Sequence, residues 1–466
     1  MPHAERKSRP PQNTARGVAF QLLIAVYEED AYANLLLPRL LTKANLEARD
    51  SGFAQELAFG TIRWQLFYDA IIERCAGRST SEIDVAALTL LRLGAHQLLA
   101  MRVPAHAALS ETVELAKLQV SVGAVGFING VLRRISEKPR EDWLALLLRD
   151  VTDGNERLAI EYSHPVWVVR ALEHALKIDG RATELGELLH ANNTPALVSV
   201  VALPGLTTQD DLVAAGMVLG TASPIGAEIT SGDPHELQVI LSGHARVQDQ
   251  GSQLAALALI EATPLGENEE WLDLCAGPGG KAALLAAEAK LKNAELFCNE
   301  ITPHRAKLVQ QALSQVNPNV YVRTGDGREL GEDAPESFDR ILLDAPCTGL
   351  GALRRRPESR WRKHPSDVAE LAALQKELFE SAWMGLKPGG VLAYVTCSPH
   401  QSETTAVIDW AEKKFGDSME LLDSNEVLHK INPSLKLNRE RKTAQLWPHV
   451  QGTDAMFIAL LRKSVG

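Results

Sequence analysis

Two cysteines follow apolar runs in the C-terminal half of the chain, each where a strand is predicted to end. In FDRILLDAPC the apolar run ends in Asp344 and is followed by Pro346 and Cys347, and GGVLAYVTCS carries Cys397 in the same way. Because active sites of parallel α/β sheets lie beyond the carboxyl ends of the strands, we expect the two thiols to face each other across one cleft, with Asp344 between them. Thiols in such a place are candidate nucleophiles.

The remaining cysteines carry no comparable signal. The chain has five cysteines, an odd number, and none pairs as C-x-x-C. Neither a disulfide framework nor a metal site is therefore predicted. Cys275 and Cys298 are expected inside strands and Cys75 inside a helix, which is typical of buried apolar thiols.

A glycine-rich turn, LDLCAGPGGK, joins a predicted strand to a predicted helix. Gly277, Gly279 and Gly280 let the backbone approach a ligand, and Glu300 follows Gly277 by 23 residues at the tip of the next strand. This arrangement predicts a Rossmann-type nucleotide pocket in which the acid accepts hydrogen bonds from ribose hydroxyls. The spacing G-x-G-x-x-A, ending at Ala282, also permits NAD, whereas a phosphate-binding Walker A loop does not fit.

Two further features admit both a functional and a simpler interpretation. Asp326 in RTGDG follows the third predicted strand and lies either near the adenine edge of a cofactor or in an ordinary Asp-Gly turn. Lys281 either neutralises a cofactor carboxylate, orients RNA, or is a surface lysine.

The charge distribution is uneven. The net charge is −11, which argues against nucleic acid as a partner when taken alone, but two short stretches are basic. Residues 1–17 contain four Lys or Arg against one Glu. Residues 352–364 contain six basic residues against one Glu: Arg354, Arg355, Arg356, Arg360, Arg362 and Lys363. We expect the second stretch to contact RNA phosphates with a steep salt dependence, the alternative being a solvated basic loop.

The order of predicted elements divides the chain into three domains. Residues 13–140 read as all-helical, with SEID at Ser81–Asp84 as a capping-box signal before a long apolar helix. Residues 141–235 read as a small α/β connector, with Thr208 capping a short helix. In residues 236–466 strands alternate with helices, which predicts a parallel sheet covered on both faces.

No segment predicts secretion or membrane insertion. The N-terminal stretch MPHAERKSRPPQ lacks the apolar core of a signal peptide, and the most apolar segment, VAALTLLRLGAHQLLAM, is interrupted by Arg92 and His96. We therefore expect a cytoplasmic protein without a membrane partner.

The motifs together resemble those of the bacterial 16S rRNA cytosine-5 methyltransferases of the Sun/RsmB type. The resemblance is carried by LDLCAGPGGK, NE, GDG, LLDAPCTGLGALRRRPESRW and TCS, and in the helical part by RVPAHAALSETVELAK and GFINGVLRRI. VQDQGSQLAALAL, at 247–259, matches the segment that leads into the family's catalytic domain. The resemblance implies an all-α NusB-like RNA-binding domain, the α/β connector and a Rossmann-like class I methyltransferase domain.

The same resemblance implies a cofactor, a partner and residue roles. The cofactor is S-adenosylmethionine and the partner is 16S rRNA in an unassembled or partly assembled small subunit; we also expect a monomer without metal. Cys397 is the nucleophile, Asp344 the partner of the cytosine N3 atom, and Cys347 the residue that assists product release. The implied cofactor-binding residues are Cys275, Ala276, Gly277, Pro278, Gly279, Gly280, Lys281, Glu300, Asp326 and Asp344.

The chain departs from the family pattern at several positions. Gly277 stands where Ala is commoner, Glu300 where Asp is commoner, and Thr348 where Ser is usual. The C-terminal LWPHVQGTDAMFIALL differs from the more familiar Asp-Gly-Phe-Phe ending.

Several alternatives remain open from the sequence. Cys347 follows a proline, as does the nucleophile of DNA cytosine-5 methyltransferases, so it competes with Cys397 for that role. The target can also be tRNA or another rRNA position. An NAD-dependent oxidoreductase accounts for the glycine turn but leaves DAPC and TCS unexplained. A non-catalytic RNA-binding or antitermination factor leaves the whole C-terminal half without a role.

Overall fold

The structure is a computed structural model that describes residues 13–465 of the chain. Residues 1–12, which hold most of the first basic stretch, lie outside the described residues. The chain divides into two compact units. The first comprises residues up to Arg170 together with Arg355–Arg362, and the second comprises Ala171–Arg354 and Lys363 onward.

The first unit is helical. Its helices are α1 (Ala15–Glu28), α2 (Ala33–Ala44), α3 (Ala48–Arg63), α4 (Gln65–Ala76), α5 (Val85–Leu99), α6 (Ala105–Gln119), α7 (Val122–Ile135), α8 (Arg140–Leu148) and α9 (Gly154–Tyr162). Helix α5 is buried along most of its length, so its apolar residues form the centre of the core. The cap of α5 is Asp84, whose carboxylate accepts from the N–H groups of Ala86 and Ala87, so the predicted cap at Ser81 is wrong.

Helix α10 (Val166–Ile178) begins in the first unit and ends in the second. The second unit then forms a small four-stranded antiparallel sheet in the order β2-β3-β1-β4. Its strands are β1 (Val198–Ala202), β2 (Val218–Leu219), β3 (Gly226–Ile229) and β4 (Ala245–Val247), with helices α11 (Leu185–Asn193), α12 (Gln209–Ala214) and α13 (Gln238–Leu241). Thr208 caps α12 as predicted, in a reciprocal capping box with Asp211.

The large sheet of the second unit runs in the order β10-β12-β9-β8-β5-β6-β7, with β11 paired to β12. Its strands are β5 (Glu270–Asp273), β6 (Glu295–Glu300), β7 (Tyr321–Thr324), β8 (Phe338–Asp344), β9 (Leu386–Thr396), β10 (Met419–Leu421), β11 (Ala444–Gln445) and β12 (Phe457–Lys463). The accompanying helices are α14 (Gln250–Glu261), α15 (Gly280–Leu291), α16 (Pro303–Leu313), α17 (Leu330–Asp333), α19 (Pro365–Gly385), α20 (Thr405–Phe415), α21 (Ser424–Ile431) and α22 (Pro448–Gln451). The short α18 (Ser359–Arg362) belongs to the first unit.

The sheet is only partly parallel. Strands β5 to β9 pair in parallel, as predicted, but β12 enters antiparallel to β9, and β10 and β11 are antiparallel to β12. The sheet is therefore mixed, because β12 lies between β9 and β10 and runs opposite to both. The order also reverses at β5, which has β6 on one side and β8 on the other, so a crevice between β5 and β8 is the expected ligand site.

The two compact units do not coincide with the three predicted domains. The helical unit extends past residue 140 to Arg170, and the small sheet groups with the large one. The small sheet nevertheless has its own apolar cluster, which includes Val200, Leu212 and Ala227. The division at 140 and 235 stays a prediction.

Candidate functional site

The two cysteines lie together at the ends of neighbouring strands. Strand β8 pairs with β9 so that Asp344 is opposite Val395, and the N–H of Ala345 donates to the Val395 carbonyl just beyond. The Sγ atoms of Cys347 and Cys397 are 3.4 Å apart. The prediction that the thiols face each other is confirmed, since adjacent parallel strands end at the same edge of the sheet.

The surroundings of Cys347 disfavour its thiolate. The neighbouring Cys397 thiol and burial, with smaller contributions from Glu403 and Asp344, raise the pKa of Cys347 well above its ordinary value. Cys347 therefore keeps its proton at neutral pH. The charge that reaches Cys397 from Lys281 is attractive for a thiolate.

Lys281 is an internal side chain that binds Asp344. Its Nζ donates to Asp344 Oδ2 at 2.8 Å, and its side chain is 11% exposed. Burial alone would lower the pKa of Lys281, but Asp344, with help from Cys397 and Asp273, outweighs burial and raises it. The interpretation as a surface lysine is wrong, and this ammonium stays charged and interacts with Cys397.

The glycine turn is tied to the next strand through Glu300. The N–H of Gly277 donates to Glu300 Oε2 at 3.1 Å, and the N–H of Thr302 donates to Oε1 at 2.9 Å. A methyl group on residue 277 would lie 2.1 Å from Glu300 Oε2, which is too close for any real contact. Gly279 has φ +104°, a left-handed conformation suited to glycine, and helix α15 begins immediately after it.

Asp326 and Cys275 each lie two residues beyond the end of a strand, Asp326 after β7 and Cys275 after β5. The Asp326 carboxylate accepts from the backbone N–H of Arg328 at 3.0 Å and from its guanidinium at 2.6 Å. The Arg328 guanidinium lowers the pKa of Asp326, so this carboxylate is charged. Cys298 lies inside β6 as predicted, whereas Cys275 lies two residues beyond the end of β5.

Two buried polar side chains near the glycine turn were not predicted from the sequence. Gln248 is 7% exposed, its amide has no hydrogen-bond partner among the described residues, and its Nε2 is 3.9 Å from the position of a Cβ on Gly280. Asp273, at the end of β5, has only a weak interaction with the N–H of Cys275. Burial, with the Asp344 charge adding to it, raises the pKa of Asp273 to about 8.

These side chains are what a ligand cradle requires. A buried amide without a partner costs free energy unless something bonds to it. Together with the glycine turn and the helix N-terminus, Gln248 therefore fits a bound polar group. In the sequence, Gln248 is marked only by its position in VQDQG, directly before an apolar helix. This position alone does not distinguish a ligand-binding residue from a helix cap.

The arginine stretch is largely internal. In the second unit, Arg354 donates to Asp454 Oδ1 at 3.0 Å and to the Gly452 carbonyl at 2.6 Å. In the first unit, Arg360 is fully buried and donates to the Ser163 carbonyl at 3.1 Å. The prediction that these two residues contact phosphate is wrong, because their guanidinium groups are enclosed by protein.

The rest of the stretch is more open. Arg362 donates to the carbonyls of Val26 and Ala31, at 2.9 and 2.6 Å, within the first unit. Arg356 is exposed, and Arg355, Arg362 and Lys363 are half-buried. The indole of Trp361 donates to the Ile62 carbonyl at 2.8 Å, so α18 is part of the helical unit's packing.

Replacing Arg360 should destabilise the protein. We expect Arg360→Ala to lower the free energy of unfolding by about 3 kcal/mol, because it empties a buried volume and leaves the Ser163 carbonyl without this donor. Thermal unfolding followed by circular dichroism measures the effect, and exposed Arg356→Ala is the matched control. Equal melting temperatures for both variants would contradict the assignment.

No described helix, from residue 13 to 465, has the length and apolarity needed to cross a membrane. Over the same residues, no group of three or more His, Cys, Asp or Glu is arranged to hold a metal ion.

Comparison with known proteins agrees with this geometry. Residues 262–462 match the family described as 16S rRNA methyltransferase RsmB/F, and residues 13–137 match the NusB family. A putative methyltransferase of Mycobacterium tuberculosis is 44% identical over 465 residues, covering 99% of each chain. The ribosomal RNA small subunit methyltransferase B of Salmonella enteritidis is 33% identical over 396 residues, covering 83% of this chain and 87% of that one.

The fold also has a solved counterpart. The crystal structure of PH0851 superposes with a TM-score of 0.80, covering 98% of this chain and 100% of that one at 22% identity, which bears on the fold alone. The NusB-like helical unit, the mixed methyltransferase sheet and the near full-length relatives lead to one conclusion. The chain belongs to the RsmB/F family of 16S rRNA methyltransferases.

Proposed function

We propose that this protein transfers a methyl group from S-adenosylmethionine to carbon 5 of a cytosine in 16S rRNA. The observation that carries the proposal is the pair of thiols, 3.4 Å apart at the ends of β8 and β9, beside a glycine turn that opens a helix. Family membership supports the methyltransferase class, and relatives named ribosomal RNA small subunit methyltransferase B support the substrate.

The chemistry accounts for a thiol at this position. Carbon 5 of cytosine is a weak nucleophile, and a thiolate that adds to carbon 6 turns the ring into an enamine that is nucleophilic at carbon 5. We assign this addition to Cys397, as the family resemblance implies, and the positive charge of Lys281 would stabilise a thiolate there. S-adenosylmethionine supplies the methyl group.

The remaining steps involve two protons, one held at N3 of the base and one removed from carbon 5. As the S–C6 bond forms, negative charge moves to N3 and the exocyclic carbonyl, and Asp344 is the group assigned to hold a proton at N3. After methyl transfer, water takes up the carbon-5 proton. The electron pair of the C5–H bond forms the C5=C6 double bond as the S–C6 bond breaks, which restores the aromatic ring and the Cys397 thiolate. Cys347, in contact with Cys397, is the residue we assign to this release.

The cofactor would lie over the turn at the strand switch point. Residues Cys275 to Lys281 and the start of α15 would face its amino-acid end, and Glu300 and Asp326 its ribose and base. Gln248 is added to this set because its buried amide lacks another partner among the described residues. Asp344, bound to Lys281, would border both cofactor and base.

The substrate must present an unstacked cytosine. A base within a helix cannot reach a thiol at a strand end, so the target has to leave its stack. We propose that the RNA is unassembled or partly assembled small-subunit rRNA, which is found in the cytoplasm, and that a monomer acts on it. Arg355, Arg356 and Lys363 remain candidates for phosphate contacts; tRNA is the alternative substrate for the same chemistry.

The pairing of Gly277 with Glu300 generates a prediction about the cofactor. Gly277→Ala should weaken S-adenosylmethionine binding by about tenfold, or about 1.4 kcal/mol, because the new methyl group displaces Glu300. Gly277→Ala combined with Glu300→Asp should recover most of the loss, since the shorter acid makes room. Isothermal titration of the four proteins measures this. Independent, additive effects of the two changes would count against the steric explanation.

Trapping experiments separate the roles of the thiols. With RNA and S-adenosylmethionine, Cys347→Ser should accumulate a covalent RNA–protein complex that survives denaturing electrophoresis, because release is blocked. Cys397→Ser should form none, because the nucleophile is missing. Cys75→Ala, in the helical unit, should behave like the unmodified protein. The opposite pattern would make Cys347 the nucleophile.

The substrate is tested in cells. Bisulfite sequencing of rRNA and tRNA, with and without the gene, should show a 16S rRNA cytosine that is protected from conversion only when the protein is present. Expression of Cys397→Ser in the deleted background should leave that cytosine unprotected. Protection lost in tRNA alone would move the same chemistry to tRNA, and no difference in either RNA would refute the proposal.

A further inference from the structure

Glu403 is a buried acid to which the reaction above gives no role. It ends the short 3-10 turn Gln401–Glu403 that follows the Cys397 loop, and its side chain is completely inaccessible to solvent. A buried carboxylate is costly unless hydrogen-bond donors surround it. The donors that surround Glu403 therefore indicate what it holds in place.

The carboxylate joins the residues that directly follow the two thiols. Its Oε1 accepts from the backbone N–H of Thr348 at 2.7 Å. Its Oε2 accepts from the hydroxyl of Thr348 at 2.5 Å and from the hydroxyl of Ser398 at 2.6 Å. Thr348 follows Cys347, and Ser398 follows Cys397. One side chain thus connects both thiol-bearing loops.

A second layer supports the same loops. Gln375 on α19 donates from Nε2 to the Pro346 carbonyl at 2.8 Å, and the same nitrogen lies 3.5 Å from Glu403 Oε1. The hydroxyl of Tyr394 donates to the Glu403 carbonyl at 2.8 Å. Tyr394 on β9 therefore holds the backbone of Glu403, and Gln375 on α19 lies at its carboxylate and also binds the loop that carries Cys347.

These contacts differ from a general packing role. The donors include both hydroxyls next to the thiols, and charge-assisted hydrogen bonds of this kind are about twice as strong as neutral ones. A neutral amide at the same place would turn an N–H₂ group toward at least one donor, losing acceptance without losing volume. The arrangement fits a carboxylate, because both of its oxygens accept hydrogen bonds and neither donates.

We propose that Glu403 is a positioning residue whose carboxylate holds the Cys347 and Cys397 sulfurs in contact, so that one adds to the base and the other assists its release. The effect on catalysis rests on the proposed function. The effect on the sulfur separation does not, because it concerns the protein without any substrate.

A probe of sulfur separation makes the inference testable. Phenylarsine oxide binds two adjacent thiols, forming two As–S bonds and releasing one water molecule that takes up both thiol protons. Since no net proton is released, its affinity reports geometry with little influence from thiol pKa. The full-length protein should bind one equivalent at this site, and Cys347→Ser should abolish that binding.

Glu403→Gln should bind the arsenical at least about tenfold more weakly than the unmodified protein. Its kcat for RNA methylation should fall about 100-fold, with KM for RNA within about threefold, since cofactor and RNA contacts are untouched. Glu403→Asp should recover part of both losses. Glu412→Gln, an exposed acid on α20, is the matched control and should leave both readouts unchanged.

If Glu403→Gln binds the arsenical as tightly as the unmodified protein does, the inference is overturned, whatever the activity of the variant. If Glu403→Gln fails to fold by circular dichroism, Thr348→Val and Ser398→Ala decide instead: each removes one hydroxyl arm and should weaken arsenical binding about threefold. No change in both would overturn it. If even the unmodified protein methylates no RNA, the proposed function fails, while the arsenical affinities still decide the role of Glu403.

Discussion

The pairing of β8 with β9 is the constraint on which the rest of the site depends. Two parallel strands that end side by side bring together residues that are 50 positions apart in the chain, Cys347 and Cys397. The backbone fixes this meeting through the Ala345 to Val395 hydrogen bond beyond the last paired residues. A slip of this register would turn alternate side chains to the other face and separate the thiols.

Charged side chains of both signs lie around this pair of thiols. Lys281 and Asp344 form an ion pair, Asp273 is buried at the end of β5, and the buried Glu403 accepts hydrogen bonds from both thiol-bearing loops. In such a poorly solvated place, each charge has a larger effect than it would have in water. The result is a pair of adjacent thiols in which Cys397 interacts with the positive charge of Lys281, and such a charge stabilises the thiolate that addition requires.

The residues of the site were predicted from the sequence more completely than the residues that surround them. The meeting of Cys347 and Cys397 followed from one rule about parallel strands, and the glycine turn from the backbone freedom it needs. Burial of Arg354 and Arg360 could not be foreseen, because charge in a sequence does not reveal whether carbonyls and carboxylates will enclose it. Glu403 and Gln248 were missed for the related reason that their partners come from distant segments. The antiparallel entry of β12 depends on tertiary pairing, which periodicity does not specify.

The central claim is that Cys397 bonds covalently to the cytosine while Cys347 serves its release. The most direct measurement uses 16S rRNA fragments containing 5-fluorocytosine, incubated with S-adenosylmethionine and the unmodified protein. Fluorine at carbon 5 cannot leave as a proton does, so the methylated adduct is trapped. Digestion and mass spectrometry should locate the nucleotide on the peptide containing Cys397. Attachment to Cys347, or the absence of any adduct, would contradict the account.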